Sequence, residues 1–170
     1  MNPAAVADIL RRGEVLLGAL GDDQYTRKLP AAYHASIGGH YRHCLDHFTA
    51  FFDGMASGAI DYDARARDPR LENDRTFALA LTRDLRGKAE AMTAGDLSRP
   101  VTARCKVGYE EAGETEAAST LGREAMFCIS HAVHHHALIG VMCSLMDVPL
   151  PDGFGVAPST LRHRESARGA

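Results

Sequence analysis

The chain has 170 residues, 45% of them hydrophobic and 24% charged, with a formal net charge of −3. That length suits one domain (1–170) burying about two-thirds of its unfolded surface, and the composition is that of an ordinary soluble globular protein. With no basic run and no stretch approaching 18 consecutive apolar residues, neither nucleic acid nor a membrane is expected as a partner.

The first turns carry Asp8, Arg11 and Arg12 among their apolar positions, which is not a signal-peptide pattern. Cys44, Cys105, Cys128 and Cys143 include no CxxC pair and read as reduced thiols of a cytoplasmic protein. Nine histidines are the one oddity, and seven of them lie in two short clusters.

Taken in order, Asn2-Pro3 opens a helix whose apolar positions Val6, Ile9, Leu10, Leu16, Leu17 and Leu20 step by three and four to a stop at Gly21. A polar connection with Pro30 follows. Ser36 then caps a second helix that runs to about Gly54. The stretch from Ala59 to Asp74 alternates in charge and reads as a linker. Asp68-Pro69 repeats the cap-then-proline signal and opens a third helix, about 69–94, ending at Gly95. Arg99–Val107 and Thr115–Ala118 can form a short hairpin around a Gly- and Glu-containing turn. Ser119 or Thr120 caps the fourth and most apolar helix, about 120–146. Residues 147–170, rich in Pro and Gly, read as an irregular tail. Helices at 3–20, 36–54, 69–94 and 120–146 with a long connection before the last predict an all-α, four-helix bundle of up-down-down-up type.

The second helix carries SIGGHYRHCLDHF and the fourth FCISHAVHHHAL. A buried histidine without a hydrogen-bond partner costs on the order of 1–3 kcal/mol, so such clusters in apolar helices call for a chemical reason. On a helix, residues four apart share a face, so His131 and His135 can point at one metal ion. They continue as a stripe through Leu138, Met142 and Leu145, which predicts a seam facing other helices, with Cys128 one turn earlier on the same side. His134 and His136 diverge from His135 by about 100° and are poorer candidates. In the second helix the wheel places His40 and His47 at the border of the apolar arc and His43 nearer the polar side marked by Arg42 and Asp46. Three neutral imidazoles from two helices suit Zn, Ni, Fe or a similar divalent ion and leave positions open for water or substrate. No HExxH, phosphate-binding Gly loop or GxSxG elbow is present.

Three features resemble the DinB/YfiT-like superfamily of metal-binding four-helix bundles. His43-Cys-Leu-Asp46 fits its pattern of a ligand histidine followed three residues later by an acid. His131 and His135 fit its H-x-x-x-H pair, and the helix layout fits over residues 1 to about 146. SIGGHYRHCLDHF, DYDARARD, SHAVHHHALIG and FGVAPST together look like one bacterial subgroup of that superfamily. The resemblance implies a divalent metal, Zn or Ni first and Fe or Mn next, held by His43, His131 and His135, with His47 as the stand-by for His43. It thus favours His43, where the wheel prefers His40 or His47; the Gly38-Gly39 pair invites the close packing or bend that a straight wheel ignores.

The resemblance further implies a metal-dependent transferase using a low-molecular-weight thiol, or a hydrolase, acting on a small-molecule substrate as a homodimer. The alternative is a non-enzymatic metal-binding or stress-response bundle whose metal is structural or vestigial. Asp46 can orient a ligand or be solvated, and solvation is the commoner outcome. Arg65 and Arg67 are the candidates for a cofactor or substrate carboxylate, against the plain reading of an exposed linker. Phe154–Thr160 can lid the site or simply pack over a groove.

Overall fold

The computed structural model describes residues 2–64, 66–109 and 113–168. Among them, seven α-helices and a three-stranded sheet make a mostly helical protein. Helix α1 (Ala4–Ala19) starts where the Asn2 side chain accepts the Ala4 N–H at 3.0 Å, and it buries Val6, Leu10, Leu16 and Leu17. The connection after it contains a short helix, α2 (Asp22–Thr26), that the sequence reading left as linker. Its Tyr25 is fully buried and donates to the Leu71 carbonyl at 2.5 Å, which pins the segment to the core.

Helix α3 (Ile37–Ser57) is capped by Ser36, whose Oγ accepts the Gly39 N–H at 3.0 Å, and it closes on Gly58 at φ +78°. A positive φ of that kind is the usual glycine stop. The chain then enters β1 (Ala59–Asp61), a strand hidden in what reads as a polar linker. β1 pairs in parallel with β2 (Pro100–Lys106), which pairs antiparallel with β3 (Glu114–Thr120). The expected hairpin is therefore present, and a third strand joins it. Three residues are too few to show a period, so β1 is legible only through its partner.

The helix expected over 69–94 is two helices, α4 (Arg70–Asn73) and α5 (Arg75–Glu90). Asp74 divides them: its backbone is extended and its side chain accepts the Phe77 N–H at 2.9 Å, so it caps the second helix rather than continuing the first. Helix α6 (Leu121–Leu145) follows β3 without a loop, and Thr120 both ends the strand and caps the helix through the Arg123 N–H at 3.2 Å. The tail is also more regular than expected, since Pro158–Arg168 forms α7.

α1 packs on α5 and α3 packs on α6, with further contact of α3 with α5 and of α1 with α6. Glu14 of α1 pairs with Arg83 and Arg86 of α5 at one edge. In the centre Thr82 donates to the Ala78 carbonyl at 2.7 Å, so the buried Tyr41 hydroxyl, 3.2 Å from Thr82 Oγ1, is the donor between them. By length and composition α6 would pass for a membrane span, contrary to the reading from consecutive apolar residues. Here it carries four histidines and a buried glutamate and lies packed along α3.

Gly38 marks a close approach of the α4 backbone to α3. A Cβ there would run into the Glu72 carbonyl and the Tyr25 ring, whereas one on Gly18 would meet nothing. Gly38→Ala is therefore expected to cost about 1–3 kcal/mol in denaturant unfolding. Gly18→Ala, in an exposed turn of α1, should leave stability unchanged or raise it by up to about 1 kcal/mol.

Candidate metal centre

α3 and α6 lie side by side, and their histidines meet along the contact. One ring nitrogen from each of His43, His131 and His135 lies within 4.8 Å of the other two, and all three residues are half-buried. The His43 ring centroid is 4.8 Å from that of His131 and 4.8 Å from that of His135, and those two are 4.6 Å apart. Four-coordinate binding at about 2.1 Å would place the nitrogens about 3.4 Å apart, so the trio fits one ion after closing by an ångström or so. Among the described residues this is the trio of His, Cys and acidic side chains with a metal-binding spacing.

Two more histidines flank the trio. His40 places Nδ1 3.1 Å from Nδ1 of His135. His47 is buried and donates its Nδ1–H to the His43 carbonyl at 2.8 Å, which leaves Nε2 as its basic nitrogen. The His47 ring centroid is 4.2 Å from that of His131. Its outer face is covered by Tyr62, stacked at 5.4 Å and 23°, and by Phe127 at 6.0 Å. Tyr62 falls in the charge-alternating stretch that reads as a linker. It instead enters the interior directly after β1 and donates to Glu124 Oε2 at 2.8 Å. Glu124 is 1% exposed and also accepts from Ser119 at 2.6 Å and Arg123 at 3.1 Å. Sequence reasoning missed this support; the trace it leaves is a lone aromatic in a polar run and an acid in the first turn of an apolar helix.

The helical seam also needs correction. The buried face of α6 carries Leu121, Glu124, Ala125, Cys128, Ala132, His136, Ile139, Met142 and Cys143, so Met142 of the predicted seam is on it while the face as a whole is centred about one position on from His131–His135–Leu138–Met142–Leu145. Leu138 and Leu145 are exposed, and the two ligand candidates sit at the margin of the buried face. That margin is where α3 presents His43, which explains why the residue nearer its polar side joins the trio. His134 is exposed. His136, set aside as a ligand, is a core residue stacked on Phe154 at 4.5 Å. Of Phe154–Thr160, the buried Phe154 thus packs on His136, while Pro158, Ser159 and Thr160 are exposed. Asp46, for which solvation was the commoner outcome, is buried and lines a cavity of about 490 Å³ together with Asp53 and Phe77; no histidine lines that cavity. Arg67 is exposed, and the described contacts do not join it to the histidines. Arg65 lies outside the described residues.

Residues 9–139 match the DinB superfamily. The chain belongs to that superfamily. It is also 32% identical over 104 residues to FK506-binding protein 5 of Rhizopus delemar, an alignment covering 61% of this chain and 27% of that protein. The chain thus spans well under half the length of that relative. No solved structure matches it.

The electrostatics of this DinB-superfamily site favour neutral imidazoles. Burial first, and then the neighbouring histidines His131, His40, His134 and His47, hold the His135 pKa down to about 3. Burial and His134 lower that of His40. Neutral rings carry the lone pairs a cation requires. Cys128 is unsuited to join them: burial pushes its thiol up to about 12, and its Sγ lies 3.7 Å from the His47 carbonyl, to which it donates. The described cysteines form no disulfide.

Away from the trio, burial and the Arg12 cation lower the His136 pKa to about 4 from its ordinary 6.5. The folded state therefore disfavours the proton that the unfolded chain binds. This contribution is fully present above about pH 6.5 and is lost as the pH falls towards 4. In metal-free protein, His136→Phe should flatten the acid limb of the stability–pH curve over that window, by an amount on the order of 3 kcal/mol. An unchanged slope in chemical denaturation between pH 7 and 4 would contradict the assignment.

Proposed function

We propose that this protein is a divalent-metal-dependent enzyme of the thiol-transferase or hydrolase type, acting on a small molecule, with His43, His131 and His135 holding the ion. The observation that carries the reading is the convergence of three imidazole nitrogens from two helices within 4.8 Å of one another. Three protein ligands leave a coordination position for an exogenous group, which separates catalytic from structural sites. A divalent ion bound there supplies Lewis acidity, lowering the pKa of a thiol or water at that position. Zn or Ni suits the all-nitrogen donor set best, with Fe or Mn next.

The remaining roles belong to the chain. His47, with Nδ1–H committed to the His43 carbonyl, presents a basic nitrogen at the flank of the trio. Tyr62 and Phe127 cover its outer face. Burial raises the Tyr62 pKa, so its hydroxyl stays protonated and keeps donating to Glu124. The packing of α1 on α5 and of α3 on α6 supports a four-helix bundle of the superfamily's type. A cytoplasmic homodimer of bacterial origin completes the reading.

A non-enzymatic centre is the second reading. It is favoured by the 4.2 Å between the His47 and His131 rings, from which His47 could swing in as a fourth protein ligand and close the site.

Elemental analysis of tag-free protein beside His135→Ala is expected to find about one metal per chain in the first and a loss of at least tenfold in the second. No metal in either would overturn the proposal. A panel of bacillithiol, mycothiol and glutathione with electrophilic substrates should show turnover that a chelator abolishes. Turnover that survives metal removal would contradict the mechanism, and a metal-loaded protein with no turnover would favour the second reading.

A further inference from the structure

His40 stands in the first turn of α3, just past the Ser36 cap, and its side chain crosses to α6. Its ring centroid is 5.3 Å from that of His135 with the planes tilted by 43°, and the two Nδ1 atoms are 3.1 Å apart. Two ring nitrogens at that distance share one proton: one donates and the other accepts. His40 bonds a ring nitrogen of the trio, and His47 donates to the His43 backbone carbonyl.

We propose that His40 is a positioning residue for the metal centre, fixing the tautomer and ring orientation of His135 through the Nδ1–Nδ1 hydrogen bond. The inference rests on the metal reading above. An imidazole with one nitrogen engaged has only the other to give, so His135 ligates through Nε2 and carries its proton on Nδ1. That proton is donated to His40, which must then present an unprotonated Nδ1 and hold its own proton on Nε2. A ligand imidazole whose second nitrogen is hydrogen-bonded is held in one orientation and made more basic, so the metal meets a ring already turned towards it. The contact also spans the two helices that would supply the three ligands.

The geometry explains a feature of the sequence that the trio leaves over. HxxH at His40 and His43 puts two imidazoles on one side of α3, the second a ligand and the first the partner of a ligand on the facing helix. Asn at position 40 would keep an acceptor, Oδ1, at the same number of bonds from the backbone as Nδ1, whereas Leu would fill the space with no acceptor.

The test measures Zn²⁺ affinity by competition with a chromogenic chelator in the intact chain and in His40→Leu and His40→Asn, with the thermal midpoint of each metal-free protein and the d–d absorption of each Co²⁺ form. His40→Leu is expected to bind Zn²⁺ about 10–100-fold more weakly and to shift the Co²⁺ spectrum. His40→Asn should recover most of the affinity and the unshifted spectrum, and the metal-free midpoints should stay together because His40 is only half-buried. Equal affinity in all three proteins, or Asn no better than Leu, overturns the inference and leaves the metal site standing. A wild-type chain that takes up no Zn²⁺ overturns both.

Discussion

The register between α3 and α6 is the constraint on which the rest of this protein depends. The trio is split across the two helices, His43 on one and His131 and His135 on the other, so a slide of one turn, about 5.4 Å, would scatter it. Helix packing alone tolerates such slides, because an apolar face offers several near-equivalent seatings. Here the small sheet removes that freedom. α3 runs through Gly58 into β1, β3 runs into α6 with no intervening loop, and β2 hydrogen-bonds to both. The two helices are thereby tied at one end, with the Tyr62–Glu124 bond as a second tie beside the histidines.

Placing five imidazoles along that contact is costly for the fold on its own. Each ring loses water, and burial and the neighbouring histidines disfavour a second proton on His135 and on His40. Hydrogen bonds meet part of the cost, through His47 to the His43 carbonyl and His40 to His135. The rings of His43, His131 and His135 still face one another across the helix contact. A cation is the ligand that turns mutual crowding into attraction, which is why the arrangement is easier to understand as a binding site than as a core.

Much of this was legible in the sequence because it is written in local signals. Ser36 and Thr120 announce the starts of α3 and α6 as caps, although α3 runs on past the expected Gly54 to Ser57 and stops at Gly58. The i, i+4 spacing of His131 and His135 reports a shared helix face whatever surrounds it. Information that depends on distant partners was not legible. β1 is three residues whose strand character comes from β2, 43 positions away at the first register pair, Ala59 with Thr102. The α6 seam was read about one position off, with Met142 alone of its apolar members buried, because alanine, cysteine and glutamate line much of the true buried face while Leu138 and Leu145 lie outside it. On α3 the wheel preferred His40 or His47, and the neighbouring helix, not hydrophobicity, selects His43 as the one that meets the α6 pair. The two that the wheel preferred are also engaged: His40 hydrogen-bonds the His135 ring and His47 the His43 backbone carbonyl.

The central claim is that one cation sits among three imidazoles from two helices. The most direct measurement is anomalous diffraction at the zinc edge from crystals grown with Zn²⁺. The account predicts a single strong peak about 2.1 Å from a ring nitrogen of each of His43, His131 and His135. Density lying instead at the exposed His134 or in the cavity lined by Asp46 and Asp53, with the trio empty, would contradict it.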